Sequence, residues 1–181
     1  MTNISQQQSG PWRALGEAEL AASPEVKLGG ALAIMFWCAV ALVAVLVLVM
    51  AWLIAFGSLL TVAMMSNSIF AGSSMTAIVT RISLVPQVML FVWGFTFAVM
   101  TMARKPSTPK VASTMIVIWA ALSISAQIAT RYVIAQNSFI FSSQATLLPY
   151  IVFEIALAAA FWGYMSDGRR PNVYFRKRVR A

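Results

Sequence analysis

Apolar residues are gathered along this chain into four long blocks, set apart by shorter polar or basic stretches. The first block, about 28–56, carries no charge. At 1.5 Å per residue it exceeds the ~30 Å hydrocarbon thickness of a bilayer, so it is expected to tilt or project. The others run over about 84–102, 111–130 and 147–165, each near the ~20 residues that a helix needs to cross. Pro86 falls in the first turn of the second block, where a missing N–H matters least. Residues 57–83, with Ile69, Phe70, Ile78, Val79 and Ile82 among Ser, Thr, Met and Gly, are expected to hold a short interfacial helix. Residues 131–146, with Tyr132, Phe139 and Phe141, are apolar enough to fold back on the membrane. Ahead of the first block, Ser23-Pro24-Glu25 has the form of a helix start and Lys27 can snorkel to headgroups. That block is too long for a signal-peptide core, and no cleavable signal is expected. The pattern predicts an all-α membrane protein, a four-transmembrane-helix bundle over 28–166. A segment of 1–27 precedes it and a basic tail of 167–181 follows.

Composition agrees. Of 181 residues, 60% are hydrophobic and 10% charged, against about one quarter charged in a soluble domain. No repeat of tens of residues recurs, so one domain is expected. Basic residues are unevenly placed. Arg13, Lys27, Arg104, Lys105, Lys110 and the tail cations lie on one side, and only Arg81 and Arg131 on the other. The positive-inside rule then puts both termini in the cytoplasm, and the expected location is the bacterial inner (cytoplasmic) membrane.

The absence of histidine removes bis-His haem, His-ligated chlorophyll, imidazole zinc sites and His-based hydrolysis. A single cysteine, Cys38, excludes an internal disulfide or dithiol chemistry. A single aspartate, Asp167, excludes a paired-aspartate protease. The eleven Met residues read as packing in lipid. No catalytic residue, metal site or cofactor is therefore expected, and the chain is not read as an enzyme. Trp52 and Trp162 fit interfacial belts, whereas Trp37, Trp93 and Trp119 read as packing bulk. Gly29-Gly30 suggests close helix approach, and Ala156 with Ala160 forms a small-xxx-small step.

After the turn signal Asp167-Gly168, the tail carries Arg169, Arg170, Arg176, Lys177, Arg178 and Arg180 with Tyr174 and Phe175. Such a segment beside a membrane either anchors topology or docks on anionic lipid or an acidic partner, at about 1 kcal/mol per cation. Nucleic acid is not expected, since no nucleic-acid-binding fold accompanies the charge. The run Tyr174-Phe175…Lys177-Arg178-Val179-Arg180, together with Leu28-Gly29-Gly30-Ala31-Leu32, resembles the small four-helix bacterial inner-membrane proteins of domain of unknown function 2569. The chain departs from that pattern at Ala31, where the family often has Trp, and in its longer polar N-terminal segment. The resemblance implies fold and compartment, not activity.

One acid, Glu154, lies between Glu25 and Asp167, inside the fourth block. A carboxylate there must face protein or water, or take up a proton. It sits twelve residues from Ser166, so ~18 Å from that boundary. Ser113, Ala120, Ser123, Gln127, Thr130 and Arg131 share one face of the third block, a face expected to meet Glu154. The expected membrane polar cluster is Glu154, Arg131, Gln127, Arg81 and Gln87, with an Arg–carboxylate pair offsetting the buried charge. An accessory or scaffold component acting through protein or lipid contacts fits this best, as part of a larger membrane complex or a homo-oligomer. The other reading is a small proton-coupled transporter using Glu154 in an oligomer.

Overall fold

The computed structural model describes residues 12–57, 59–135 and 145–180. A short strand β1 (Trp12–Ala14), a helix α1 (Glu17–Ala22) and a 3-10 turn (Pro24–Val26) lead into the long helix α2 (Gly30–Phe56). Then come α3 (Leu59–Phe70), α4 (Met75–Met102), α5 (Thr108–Ile134), α6 (Leu148–Asp167), α7 (Arg169–Arg176) and a strand β2 (Arg178–Arg180). Among the described residues, four helices are long and apolar enough to cross a membrane: α2 with its preceding turn, α4, α5 and α6. The all-α, four-span reading of the pattern holds.

The core lies where α4, α5 and α6 meet. Trp93 and Phe97 stack at 5.6 Å, and both meet Phe161 edge-on, at 5.6 and 5.8 Å. Ala112, Ile116 and Ala120 of α5 and Ala158 and Met165 of α6 close around these rings. Alanines here let the aromatic rings reach between helices, which association in lipid needs because apolar burial gives no preference there. The buried indole donates from Nε1 to the Ala112 carbonyl at 3.1 Å. Helix α2 joins this core near its start, through Leu32 and Ala39. It crosses α4 at Gly94, where a Cβ would stand 3.2 Å from Val43 and 3.4 Å from the Ala39 carbonyl. Beyond that crossing it diverges, and Ala44–Phe56 is exposed around the helix except at Leu53.

The largest boundary difference from the sequence reading is at the start of the second span. Helix α4 begins at Met75, capped by the Ser74 hydroxyl on the Ala77 N–H, so Ile78, Val79 and Ile82 are helical and Pro86 is a buried interior residue. Its polar residues are absorbed locally, Thr80 donating to the Thr76 carbonyl and Ser83 to the Val79 carbonyl. The expected short helix between the first two spans is α3. Phe139 and Phe141 lie outside the described residues.

The basic segment 167–181, expected as a tail, is folded through Arg180. Val173, Tyr174 and Phe175 are buried in α7, and β2 pairs antiparallel with β1, Trp12 opposite Arg180. The aromatics supply the reason, since they gain burial against the ends of α4 and α5. Tyr174 donates from its hydroxyl to the Thr101 carbonyl at 3.3 Å, and its ring lies under the Arg104 guanidinium at 5.0 Å.

Candidate functional site

Glu154 projects from α6 toward α5, and α5 meets it with two donors one turn apart. The Ser123 hydroxyl donates to Oε1 at 2.8 Å and the Gln127 amide donates to the same oxygen at 2.7 Å. The amide also lies 3.3 Å from the Ser123 hydroxyl, so the three side chains form one network. Among the described residues Oε2 has no hydrogen-bond partner although it is buried. A buried oxygen without a partner is costly and uncommon in native structures, and membrane sites that tolerate one tend to be functional.

Of the five residues expected to cluster, Gln127 and Glu154 come together. Arg131 does not pair with Glu154. It stands one turn beyond Gln127, and its Nη1 donates to the Thr146 hydroxyl, 2.7 Å away, across the gap between α5 and α6. Its position at the helix end lets the guanidinium stay near the polar boundary instead of entering the apolar layer. Arg81 is turned away as well. Its guanidinium donates to the carbonyls of Gly72 at 2.8 Å, Phe70 at 3.4 Å and Ala77 at 3.3 Å, closing the C-terminal end of α3. Gln87 is exposed on α4 and faces a cleft rather than the carboxyl group.

That open cleft, of about 790 Å³, lies between α4 and α5 and is closed at one end by Leu147. Pro86, Leu90 and Trp119 give it apolar walls, while Gln87, Ser123, Gln127 and Arg131 supply polar groups. Its size and lining are those of small-molecule sites. Two of its lining residues are the donors to Glu154, so a ligand in the cleft would act on the carboxyl group through Ser123 and Gln127.

The opposite end of the bundle carries the cations. Arg169 pairs with Glu25 at 3.2 Å, and Arg170 donates to the Lys27 carbonyl at 3.2 Å. The Arg170 side chain fills the space left by the two glycines, a Cβ on Gly29 standing 2.8 Å from its Nη1. Gly29-Gly30 therefore makes room for an arginine, and Gly30 adopts φ +56°, which favours glycine. Arg176 and Arg178 both donate to Oδ1 of the fully buried Asn172, at 3.3 and 3.1 Å. The Asn172 amide donates to the carbonyls of Ser166 and Gly168 at 2.8 and 2.9 Å. Arg178 also lies over the Trp12 ring at 4.6 Å. Lys177, at φ 52°, and Arg180 are exposed. The sequence reading passed over Asn172, and one asparagine in a basic run carries no signal of such a role.

Near β1, the Gly16 N–H and then Arg13 hold the Glu19 carboxyl below its ordinary pKa. A carboxylate depressed in the folded state adds stability above its unfolded pKa, lost as pH falls through the folded value. Protection of Trp12–Ala14 against hydrogen exchange, taken relative to the intrinsic rate at each pH, is thus expected to be unchanged between neutral and mildly acidic pH and to fall at strongly acidic pH. Equal protection across the whole range would contradict this. Compared with protein-family models, with curated proteins and with solved structures, the chain finds no match in any of the three.

Proposed function

We propose that this chain is a multi-pass protein of the bacterial inner membrane, with cytoplasmic termini, that works by contact rather than by catalysis, as an accessory or scaffold component of a membrane assembly. The resemblance to domain of unknown function 2569 fits that compartment. One observation carries the reading: small residues favoured at helix–helix contacts face outward. Ala156 and Ala160 are exposed on α6, and a Cβ added at Gly163 would meet nothing within 4 Å. In lipid such faces bring helix backbones close, and a surface facing only bulk lipid has no need of them. The far half of α2, exposed around the helix, supports the same reading. The partner is a transmembrane helix of another subunit or of a second copy. The exposed cations Lys177 and Arg180 would add attraction to anionic headgroups.

A photo-crosslinking residue at Ala156 or Leu48, in cells, is expected to give one discrete protein adduct. Ala160→Leu should abolish the adduct from Ala156 without changing the melting temperature of the purified chain. Lipid adducts alone would sink the reading.

The cleft beside the Ser123–Gln127–Glu154 network favours a second reading, a small proton-coupled transporter. Glu154→Gln keeps size and hydrogen bonding and removes ionisation. If it abolishes a pH-dependent flux in proteoliposomes while assembly is intact, the transporter reading replaces the first. Unchanged flux, or none in the wild type, removes it.

A further inference from the structure

At the end of the bundle that carries the termini, a hollow of about 150 Å³ opens between the start of α5 and the end of α6. Lys110, Ser113, Ser166 and Arg176 line it, with Trp162 as its membrane-side wall. Past Trp162, the same two helices form an apolar groove of about 350 Å³, floored by Ala120, Ala121, Ala158 and Ala159. Trp162 lines both spaces, so they follow one another along α5 and α6. A cationic, hydroxyl-lined hollow at the membrane boundary thus leads into an apolar channel pointing to the bilayer centre. We propose that this is a binding site for one anionic phospholipid, its phosphate held by Lys110, Ser113 and Arg176 and one acyl chain lying between α5 and α6.

Three further observations support that occupant. Ser113 is only 4% exposed, and among the described residues its hydroxyl has no partner. The hydroxyl lines the hollow and makes no hydrogen bond of its own among the described residues, so it is open to donate to whatever enters. Among the described residues the Lys110 ammonium and Nη2 of Arg176 also have no hydrogen-bond or ion-pair partner. Burial first, and then the neighbouring Arg178 charge, hold the Arg176 pKa below its ordinary value, so an anion would offset both. The nearest acid on α6, Asp167, lines a different hollow with Glu25 and Arg169. The charge at the site is therefore positive and unopposed, and small residues along the groove leave the width of an alkyl chain.

This site depends on the membrane placement and not on the proposed partner. The test is native mass spectrometry of the full chain released from nanodiscs containing phosphatidylglycerol or phosphatidylcholine of equal chain length. One tightly held phosphatidylglycerol is expected. Lys110→Gln should weaken its retention about fivefold, the effect of one cation near a headgroup, and Ser113→Ala should weaken it less. Ala159→Phe, which fills the groove and leaves the charges in place, should lower retention of both lipids. Lys105→Gln, a cation outside the hollow, should change nothing. Millimolar inorganic phosphate should neither raise the melting temperature nor displace the lipid.

Retention unchanged by Lys110→Gln or by Ala159→Phe would overturn the site. So would an equal loss from Lys105→Gln, which indicates diffuse surface charge, or protection by phosphate alone, which indicates that the groove is not used. The adduct at Leu48 should persist in all these variants, so this site and the partner reading fail separately.

Discussion

Gly168→Ala is expected to destabilise the chain by about 3 kcal/mol, at the upper end of overpacking effects. A Cβ on Gly168 would stand 2.2 Å from the Tyr164 carbonyl oxygen and 3.1 Å from Pro171. The first of these atoms is backbone in the last turn of α6, and the Gly168 N–H already bonds it at 2.9 Å. No side-chain rotation relieves that contact, so the corner between α6 and α7 must open. Opening it unseats Val173, Tyr174 and Phe175 and strains the bonds of Asn172 to Ser166 and Gly168. Protease cleavage within 169–180 should rise together with the loss of thermal stability in detergent. Gly163→Ala is the matched control. Its Cβ would meet nothing, and alanine is the better helix former by about 1 kcal/mol, so that variant should be neutral or slightly stabilised. Equal behaviour of the two variants would contradict the corner geometry.

The second large effect is expected at Gln127. Gln127→Leu removes the shorter of the two hydrogen bonds to Oε1 of Glu154 and leaves a carboxyl group whose other oxygen already has no partner among the described residues. Stranding a buried polar group in this way costs about 1–3 kcal/mol, more where it is charged, so a loss of about 3 kcal/mol is expected. Glu154→Gln keeps an acceptor for both donors and should stay within about 1 kcal/mol of wild type. The double variant Gln127→Leu, Glu154→Leu removes acceptor and donor together and should recover most of the loss. Ser123 can then turn its hydroxyl to the carbonyl four residues earlier. Denaturant titration in mixed micelles of Gln127→Leu, Glu154→Leu and the double variant would give the coupling energy of this cycle. A near-zero coupling would show that the network does not hold α5 to α6.

Much of this arrangement was readable before any fold was known, for reasons particular residues make plain. The four spans stand out because lipid accepts apolar side chains on every face of a helix. The meeting of Gln127 and Ser123 with Glu154 follows from three- and four-residue spacing on α5 and from the cost of an isolated carboxyl group in lipid. The start of α4 was hidden, because Arg81, Thr80 and Ser83 look like a loop to a hydropathy reading. They cost little in a helix once their polar atoms find carbonyls nearby. The partner of Arg131 was hidden as well. Thr146 lies fifteen residues further along the chain, a separation that no local spacing pattern records. Nor did the run of cations reveal its own folding. Charge alone does not distinguish a guanidinium left in water from one laid on Trp12 or held by Asn172.

The pairing of β1 with β2 has a consequence for the order in which the chain can be assembled. Trp12–Ala14 is synthesised ahead of α2, α4, α5 and α6 and waits, without its strand partner, until these have been made. Arg178 then brings both a backbone edge and a cation for the Trp12 ring. The sheet is therefore a late, non-local closure that forms only once the helices between have brought Arg178–Arg180 back to the end of the bundle that carries β1. A chain with one span skipped or inverted would leave both strands unpaired, with exposed edges and buried aromatics displaced. Such a chain would be the more open to proteolysis for lacking this closure.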